Sequence, residues 1–314
     1  MSRLVSVVVP VYNRSGYVRA ALDSLRAQTY VDWEAMVVDD GSTDGSGDIV
    51  RDVAAQDERV RLHRQENQGA AEARNAGVER ATGEFVAFLD SDDAWLPEKL
   101  ERQLDAWREG VLYSDAYLVA PDGTTDGRIG DHVELARGQV FDRLLMWNVV
   151  ATTTVLLSRE LLEAAGPFDA ALEPCEDYDL WLRLAGAGVP FDYVDEPLAY
   201  HRLHEGQLSS DAGVNATAWL KAVEKCAARS SGARRQQLDR RVASLRRYAA
   251  GALRQGAWRN ARAGELDVAR AQLREAHETA PTRVGGIVTA VATRSDAALR
   301  MLARRRLARG NGRT

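Results

Sequence analysis

The first ninety residues repeat one pattern: a short strand-forming run, a polar turn, then apolar residues at helical spacing. "LVSVVV" (4–9), "EAMVVD" (34–39), "RVRLHR" (59–64) and "GEFVAFLD" (83–90) read as strands, while "GYVRAALDSLRAQ" (16–28), the stretch after Thr43 and "GAAEARNAGVERA" (69–81) read as helices. Near-continuous aliphatic strands are those buried on both faces, and a crossover helix after each one sets neighbouring strands parallel. The pattern therefore predicts an α/β, Rossmann-like fold: a mostly parallel sheet flanked by helices.

Beyond Pro97 the alternation continues less regularly. A helix is expected through Trp107, a strand and turn in "VLYSDAYLVAPDGTTDGR", a helix in "GQVFDRLLMW", a strand in "TTTVLLS", a helix in "RELLEAAG" closed by glycine, and another in "EDYDLWLRLAGAG". "FDYVDEPLAYHRLHEGQLS" reads as two short extended pieces and a loop. From Val214 strand signals stop and Ala, Arg, Leu and Gln recur at helical spacing. The expected domains are thus 1–213 and an all-helical 214–314. Within the latter, "GALRQGAWRNARAGELDVARAQLREAHETAP" looks like one helix-turn-helix unit of a tetratricopeptide array, and a single unit reads as a helical appendage because such units need stacked neighbours.

A net charge of −5 argues against nucleic acid as a partner, since that would call for a basic domain or stripe. Only three of the basic residues are lysines, and Arg300, Arg304, Arg305, Arg306, Arg309 and Arg313 gather at the C-terminus without an acid among them. A solvated helix face or frayed tail is the plain reading of that cluster, and peripheral contact with anionic lipid, helped by apolar "VGGIVTAV", is the alternative. Cys175 and Cys226 are far apart and in no metal-ligand spacing, so both are expected reduced. There is no signal-peptide pattern and no run approaching eighteen apolar residues, which predicts a cytoplasmic protein.

Two acidic stretches carry the chemistry. "VVDDGSTDGSGD" (37–48) partly matches a twelve-position calcium loop starting at Asp40, but the last position, a bidentate Glu in such loops, is Arg51, and a strand rather than a helix precedes it. It reads instead as a strand end, where α/β folds bind ligands, with Asp40 to Asp44 forming a turn and helix cap. "FLDSDDAW" delivers Asp90, Ser91, Asp92 and Asp93 to a strand's carboxyl end, where crowded carboxylates raise one another's pKa unless a cation is present. In an extended segment Asp90 and Asp92 would point the same way, suiting one to a metal and the other to a ribose or second metal position. Asp93 precedes "AWLPEKL" and is expected to cap that helix.

"VSVVVPVYNR", "MVVDDGSTDGS", "NQGAAEARNAG", "FVAFLDSDDAWLPEKL" and "EDYDLWLRL" occur in the order and spacing of the inverting family 2 glycosyltransferases of GT-A fold, and the resemblance spans roughly residues 3 to 210. It implies that Pro10, Val11 and Tyr12 line the nucleotide base, that Asp39 accepts from a uracil N3–H, and that Asn67 and Arg74 complete the base and ribose pocket. By the same resemblance Asp90 and Asp92 belong to an acidic motif binding Mn²⁺ or Mg²⁺ on the donor diphosphate, with Ser91 beside them. Asp177 is then the base that takes the acceptor hydroxyl's proton, with Glu176 as the alternative or as an acceptor contact. Helix-dipole stabilisation of N-terminal acids is the plain reading of that pair. "YHRLHEGQLS" resembles a segment closing over the diphosphate, implying His204 as metal ligand or leaving-group contact and Arg202 and Ser209 as phosphate contacts; a surface loop is the alternative, and His201 reads as structural.

The implied partners are a nucleotide-sugar donor, UDP-linked by expectation, and a saccharide or other hydroxyl acceptor; the helical region leaves self-association open. Nucleotidyl transfer would want a glycine-rich, lysine-bearing loop after the first strand, and "PVYNRSGY" has a single glycine and no lysine. A non-catalytic scaffold would be expected to carry a damaged site, whereas acids stand at both the metal and base positions. Processive synthesis is disfavoured by the missing acceptor-site tryptophan motif and membrane spans. Donor sugar and acceptor are not readable.

Overall fold

The computed structural model describes residues 3–204, 207 and 211–310, and the chain divides into two compact units, Met1–Glu205 and Gly206–Thr314. The first opens with β1 (Val5–Val11), α1 (Val18–Arg26), β2 (Trp33–Asp39), α2 (Ser46–Ala54), β3 (Val60–Arg64), α3 (Ala70–Arg80) and β4 (Phe85–Phe88). Every residue of β1, β2 and β4 is buried except Pro10, as expected of strands covered on both faces. β1 pairs in parallel with β2 on one side and β4 on the other, and β3 joins β2 in parallel. Strand order reverses about β1, which opens a crevice at the carboxyl ends of β1 and β4. α3 can lie close on β1 only because residue 77 is glycine: a Cβ there would sit 2.4 Å from Val8 Cγ1.

The unit continues with β5 (Ala94–Trp95), α4 (Lys99–Ala106), β6 (Val111–Val119), β7 (Thr125–Arg128), α5 (Ile129–His132) and α6 (Phe141–Met146). A 3₁₀ turn (Thr152–Thr154), β8 (Leu156–Ser158), α7 (Arg159–Ala165), a second 3₁₀ turn (Ala170–Leu172), α8 (Glu176–Gly186) and β9 (Phe191–Arg202) complete it. The sheet runs β3-β2-β1-β4-β8-β6-β9-β5, with β7 on β6. β8 is antiparallel to both neighbours and β5 to β9, while β6 and β9 are parallel. The result is a mixed, mostly parallel sheet.

Two expectations need correction. "TTTVLLS" is a strand only from Leu156, because Thr152–Thr154 wind into the 3₁₀ turn. "FDYVDEPLAYHR" is a single strand rather than two pieces: register shifts opposite Ser114 and Asp115 absorb the irregularity around Pro197, so pairing with β6 resumes and runs to Arg202.

The second unit comprises α9 (Ala212–Ala228), α10 (Gly232–Ala263), α11 (Leu266–Thr279), α12 (Arg283–Arg294) and α13 (Asp296–Gly310). Asp211 caps α9, accepting from the amides of Gly213 and Val214. α10 stops at Gly264, whose φ of 96° is the left-handed helix-ending conformation. Ala257, Trp258 and Ala261 then pack with Leu266, Ala269 and Leu273 of α11. The expected helix-turn-helix is present, but its first helix begins at Gly232, well before the start of a repeat-length unit. No helix among the described residues is long and apolar enough to cross a membrane. The side chains of Arg304, Arg305, Arg306 and Arg309, and all of Arg313, lie outside the described residues, so the arginine cluster is not placed.

Candidate active site

The acidic loop after β2 is a brace. The Asn13 amide donates to Ser42 Oγ (3.0 Å) and its side-chain oxygen accepts from the Thr43 amide (2.9 Å), with Asn13 in the left-handed conformation at φ 50°. The amides of Arg14 and Ser15 donate to Ser46 Oγ and Asp44 Oδ2 at 2.8 and 2.9 Å. Burial works against the Asp44 carboxylate, but hydrogen bonds from Ser46 and Ser15 hold its pKa well below the usual range. Asp40 accepts from Gln65 Nε2 and from the amides of Gln68 and Gly69, all within 2.9 Å, and so fixes the turn into α3. Asp40 therefore organises α3 rather than a cap on α2.

Asp39 ends β2 fully buried, its Oδ1 accepting from the Ser42 amide at 2.9 Å. Its Oδ2 has no hydrogen-bond partner among the described residues and lies 3.6 Å from Nε of the half-exposed Arg64. A Cβ on residue 47 would stand 2.4 Å from that oxygen, so Gly47 is what admits the carboxylate. A buried, unpartnered carboxylate oxygen costs free energy unless something donates to it.

After β4 the chain turns, the Asp93 amide donating to the Asp90 carbonyl at 2.9 Å. The segment is thus not extended, and Asp90 and Asp92 do not point the same way. Asp90 Oδ1 accepts from Arg74 Nη2 (2.7 Å), whereas Asp92 Oδ2 meets Arg14 Nε and His204 Nε2, each at 3.0 Å. His204 stacks on Tyr17 with ring centroids 5.1 Å apart. Burial opposes charge on Asp92, but His204 and Arg14 bring its pKa below the ordinary value. Arg202 donates from Nη1 to the Asp92 carbonyl (2.8 Å) and from its amide to Asp93 Oδ1 (3.0 Å).

Asp93 is not a helix cap. Its second oxygen takes His201 Nδ1 at 3.1 Å, and α4 begins six residues later with no side-chain cap. Burial disfavours the imidazolium, yet Asp93 raises the His201 pKa to about 9, while burial raises that of Asp93 itself. The end of β9 and the residues after it therefore strap across the acidic turn, bringing Arg202 and His204 to it. Ser209 lies outside the described residues.

Glu176 and Asp177 open α8. Arg74, almost fully buried, donates from Nη1 to Glu176 Oε1 and from Nη2 to Asp90 Oδ1, so one guanidinium joins the acidic turn to the start of α8. Both carboxylates stabilise its charge against burial, raising its pKa further above the usual value. Arg74 is thus committed to two acids rather than presented to a base or ribose, and Glu176, 4% exposed, is committed to Arg74. Asp177 is different. Its Oδ1 accepts from the Tyr178 amide (2.6 Å) and its Oδ2 from Thr152 Oγ1 (2.7 Å), and burial followed by the charge of Glu176 pushes its pKa up to about 6. Tyr178 Oη donates to the Leu144 carbonyl (2.9 Å), fixing α8 against the end of α6. Burial and the adjacent acids push the Cys175 thiol up to about 12, and neither cysteine is in a disulfide.

The remaining donor-site expectations are placed unevenly. Tyr12 and Asn67 are exposed at the carboxyl ends of β1 and β3, and Pro10 is half-buried. Val11 packs in the core at 1% exposure and its carbonyl accepts from the Asp40 amide, so its side chain does not face an open pocket. Ser91 is buried in the turn. Sequence reasoning missed Arg14, whose signal was only a cation in "PVYNR", and Thr152, one of three adjacent threonines.

Among the described residues no group of three or more His, Cys, Asp and Glu surrounds a common point. Asp92 and His204 do meet, and a carboxylate oxygen beside an imidazole nitrogen would serve as two ligands of a transition-metal divalent ion such as Mn²⁺. Asp90 is held apart from them by Arg74.

The family model described as "Glycosyl transferase family 2" matches residues 6–161. The Bacillus subtilis protein TuaG, whose name assigns it to teichuronic acid biosynthesis, is 35% identical over 213 residues, covering 66% of this chain and 82% of TuaG. EpsH of B. subtilis, named as a glycosyltransferase, is 34% identical over 64% of this chain and 61% of its own length. A glycosyltransferase of Rickettsia felis is 29% identical over 65% of this chain, which spans only 35% of that relative. Among solved structures, S. aureus TarS 1–349 in complex with UDP-GlcNAc superposes with a TM-score of 0.62 at 21% identity, covering 98% of this chain and 92% of that one. The mannosyltransferase PcManGT from Pyrobaculum calidifontis, in complex with GDP-Man and Mn²⁺, gives 0.59 at 20% identity, covering 96% and 84%. With its Rossmann-like sheet, its acidic turn after β4 and its paired acids at the start of α8, the chain belongs to glycosyltransferase family 2.

Proposed function

We propose that the chain moves a sugar from a UDP-sugar to an acceptor hydroxyl with inversion at the anomeric carbon, Asp177 acting as base. The observation that carries this reading is the contrast between two neighbouring acids. Glu176 is ion-paired to Arg74, whereas Asp177 takes neutral donors, the Thr152 hydroxyl and the Tyr178 amide, and burial followed by the charge of Glu176 pushes its pKa up to about 6. A base is most effective when its pKa lies near the working pH.

Deprotonated Asp177 takes the hydroxyl proton as the acceptor oxygen attacks the anomeric carbon. The new glycosidic bond forms while the bond to the diphosphate breaks and its electron pair leaves with UDP. Arg14 and Arg202, both at the acidic turn, supply positive charge where the diphosphate becomes more negative. Asp92 Oδ2 and His204 Nε2 are the residues that would hold Mn²⁺ or Mg²⁺, and such an ion supplies Lewis-acid assistance to the leaving group. Asp39 supports uracil. Its Oδ2, without a hydrogen-bond partner among the described residues and 3.6 Å from Arg64 Nε, is the oxygen we assign to the uracil N3–H.

The neighbour bound to GDP-Man makes guanosine the competing base, and a thermal-shift panel of UDP- and GDP-sugars with Mn²⁺ or chelator separates the two. UDP-sugars should stabilise the protein and release UDP; stabilisation by GDP-sugars alone would overturn the uridine assignment. Stabilisation by neither would remove the donor reading.

A further inference from the structure

We infer that Thr152 is a positioning residue for the base, its hydroxyl holding Asp177 so that one defined face of the carboxylate is left for the acceptor. This rests on the assignment of Asp177 as base. Thr152 Oγ1 donates to Asp177 Oδ2 at 2.7 Å while Oδ1 is anchored by the Tyr178 amide, so both oxygens are tied and rotation of the carboxylate is blocked. Thr152 is 6% exposed, and its placement is over-determined by the two threonines after it. Trp95 Nε1 donates to the Thr153 carbonyl at 2.8 Å, and Gln103 Nε2 donates to the Thr154 carbonyl at 2.7 Å.

Gln103 is itself oriented by Lys99. That lysine is fully buried without a carboxylate partner among the described residues, its Nζ 2.6 Å from Gln103 Oε1 and 4.1 Å from the centre of the Trp95 ring. With the amide oxygen turned to Lys99, the amide nitrogen must face the Thr154 carbonyl. Trp95 closes the stretch "DSDDAW", so the segment that carries the acidic turn also clamps the 3₁₀ turn that aims the base. The charged groups near Asp177 are Glu176 and Arg74, with the Cys175 thiol also close, and none of them supplies the contact made by Thr152.

Thr152→Val keeps the shape and removes the donor, and Thr152→Ser restores it. The direct readout is the titration of Asp177 Cγ by ¹³C NMR in the full chain, its signal assigned by loss in Asp177→Asn. A hydrogen bond to the charged form lowers the midpoint, so Thr152→Val should raise it by about one to two pH units and Thr152→Ser should return it. With UDP-N-acetylglucosamine and Mn²⁺ as the kinetic probe, kcat for UDP release should fall about tenfold to a hundredfold in Thr152→Val, with donor KM unchanged and the acidic limb displaced upward. An unmoved midpoint in a Thr152→Val protein of unchanged melting temperature overturns the positioning role. Retained turnover in Asp177→Asn would instead overturn the base assignment, whatever Thr152→Val does.

Discussion

Replacing Asp177 by Asn should stabilise the protein at neutral pH while abolishing transfer. In the folded chain the Asp177 pKa is raised from 3.8 to about 6, so its stability contribution is complete below the unfolded value and is lost as pH rises through about 6. A displacement of about two pH units corresponds to ~3 kcal/mol at pH 7.5. Asn carries no charge to desolvate and no repulsion with Glu176, but it offers one acceptor oxygen to the two donors, Thr152 Oγ1 and the Tyr178 amide. That mismatch costs about 1 kcal/mol, leaving a net gain of ~2 kcal/mol. For a unit of this size the melting temperature should rise about 4–8 °C at pH 7.5. At pH 4, where the native carboxyl is already protonated, the gain should vanish or reverse. Melting curves at both pH values check this alongside UDP release, which should fall about a hundredfold or more. A variant that melts lower at pH 7.5, or differs from the parent equally at both pH values, would show that Asp177 is not held at an electrostatic disadvantage.

The same raised pKa predicts that kcat/KM for transfer climbs with pH through about 6, measured as UDP release between pH 5 and 8; a rate flat across that window would refute it. Arg74→Met should destabilise the fold by about 3–5 kcal/mol, since Asp90 and Glu176 lose their shared cation, and adding Glu176→Gln should recover part of the loss; additive urea midpoints would speak against the bridge. Asp92→Asn should remove the Mn²⁺ dependence of UDP binding in calorimetry, with affinity in Mn²⁺ falling to that in chelator. Gly77→Ala should cost about 1–3 kcal/mol by forcing α3 off Val8, read as a lowered urea midpoint; an unmoved midpoint would refute the close packing.

Much of this was legible along the chain because the relevant signals are local. β1, β2 and β4 are announced by unbroken apolar runs that only a doubly covered sheet accommodates, and the turn after β4 by consecutive acids. What escaped depends on partners far apart in sequence. Asp93 has the look of a helix cap in its own neighbourhood, yet His201 and Arg202, more than a hundred residues away, take its oxygens. Asp90 and Asp92 look equivalent two apart, but the turn sends one to Arg74 and the other to Arg14 and His204. Thr152 carries no signal among three threonines until α8 is folded beside it.

The Arg74 bridge also bears on how such a scaffold acquires new substrates. Its three charged members come from α3, the turn after β4 and the start of α8, and none comes from 111–151. That span holds β6, β7, α5 and α6; β6 is tied into the sheet between β8 and β9 and α6 holds Tyr178 through the Leu144 carbonyl, while β7 lies off the main strand path on β6. Replacements confined to β7 and the turn before it should leave the registration of α8 to the acidic turn unchanged, whereas changes in β6 or α6 should not. The guanidinium works as a datum, a fixed reference from which the acidic turn and the start of α8 are both measured.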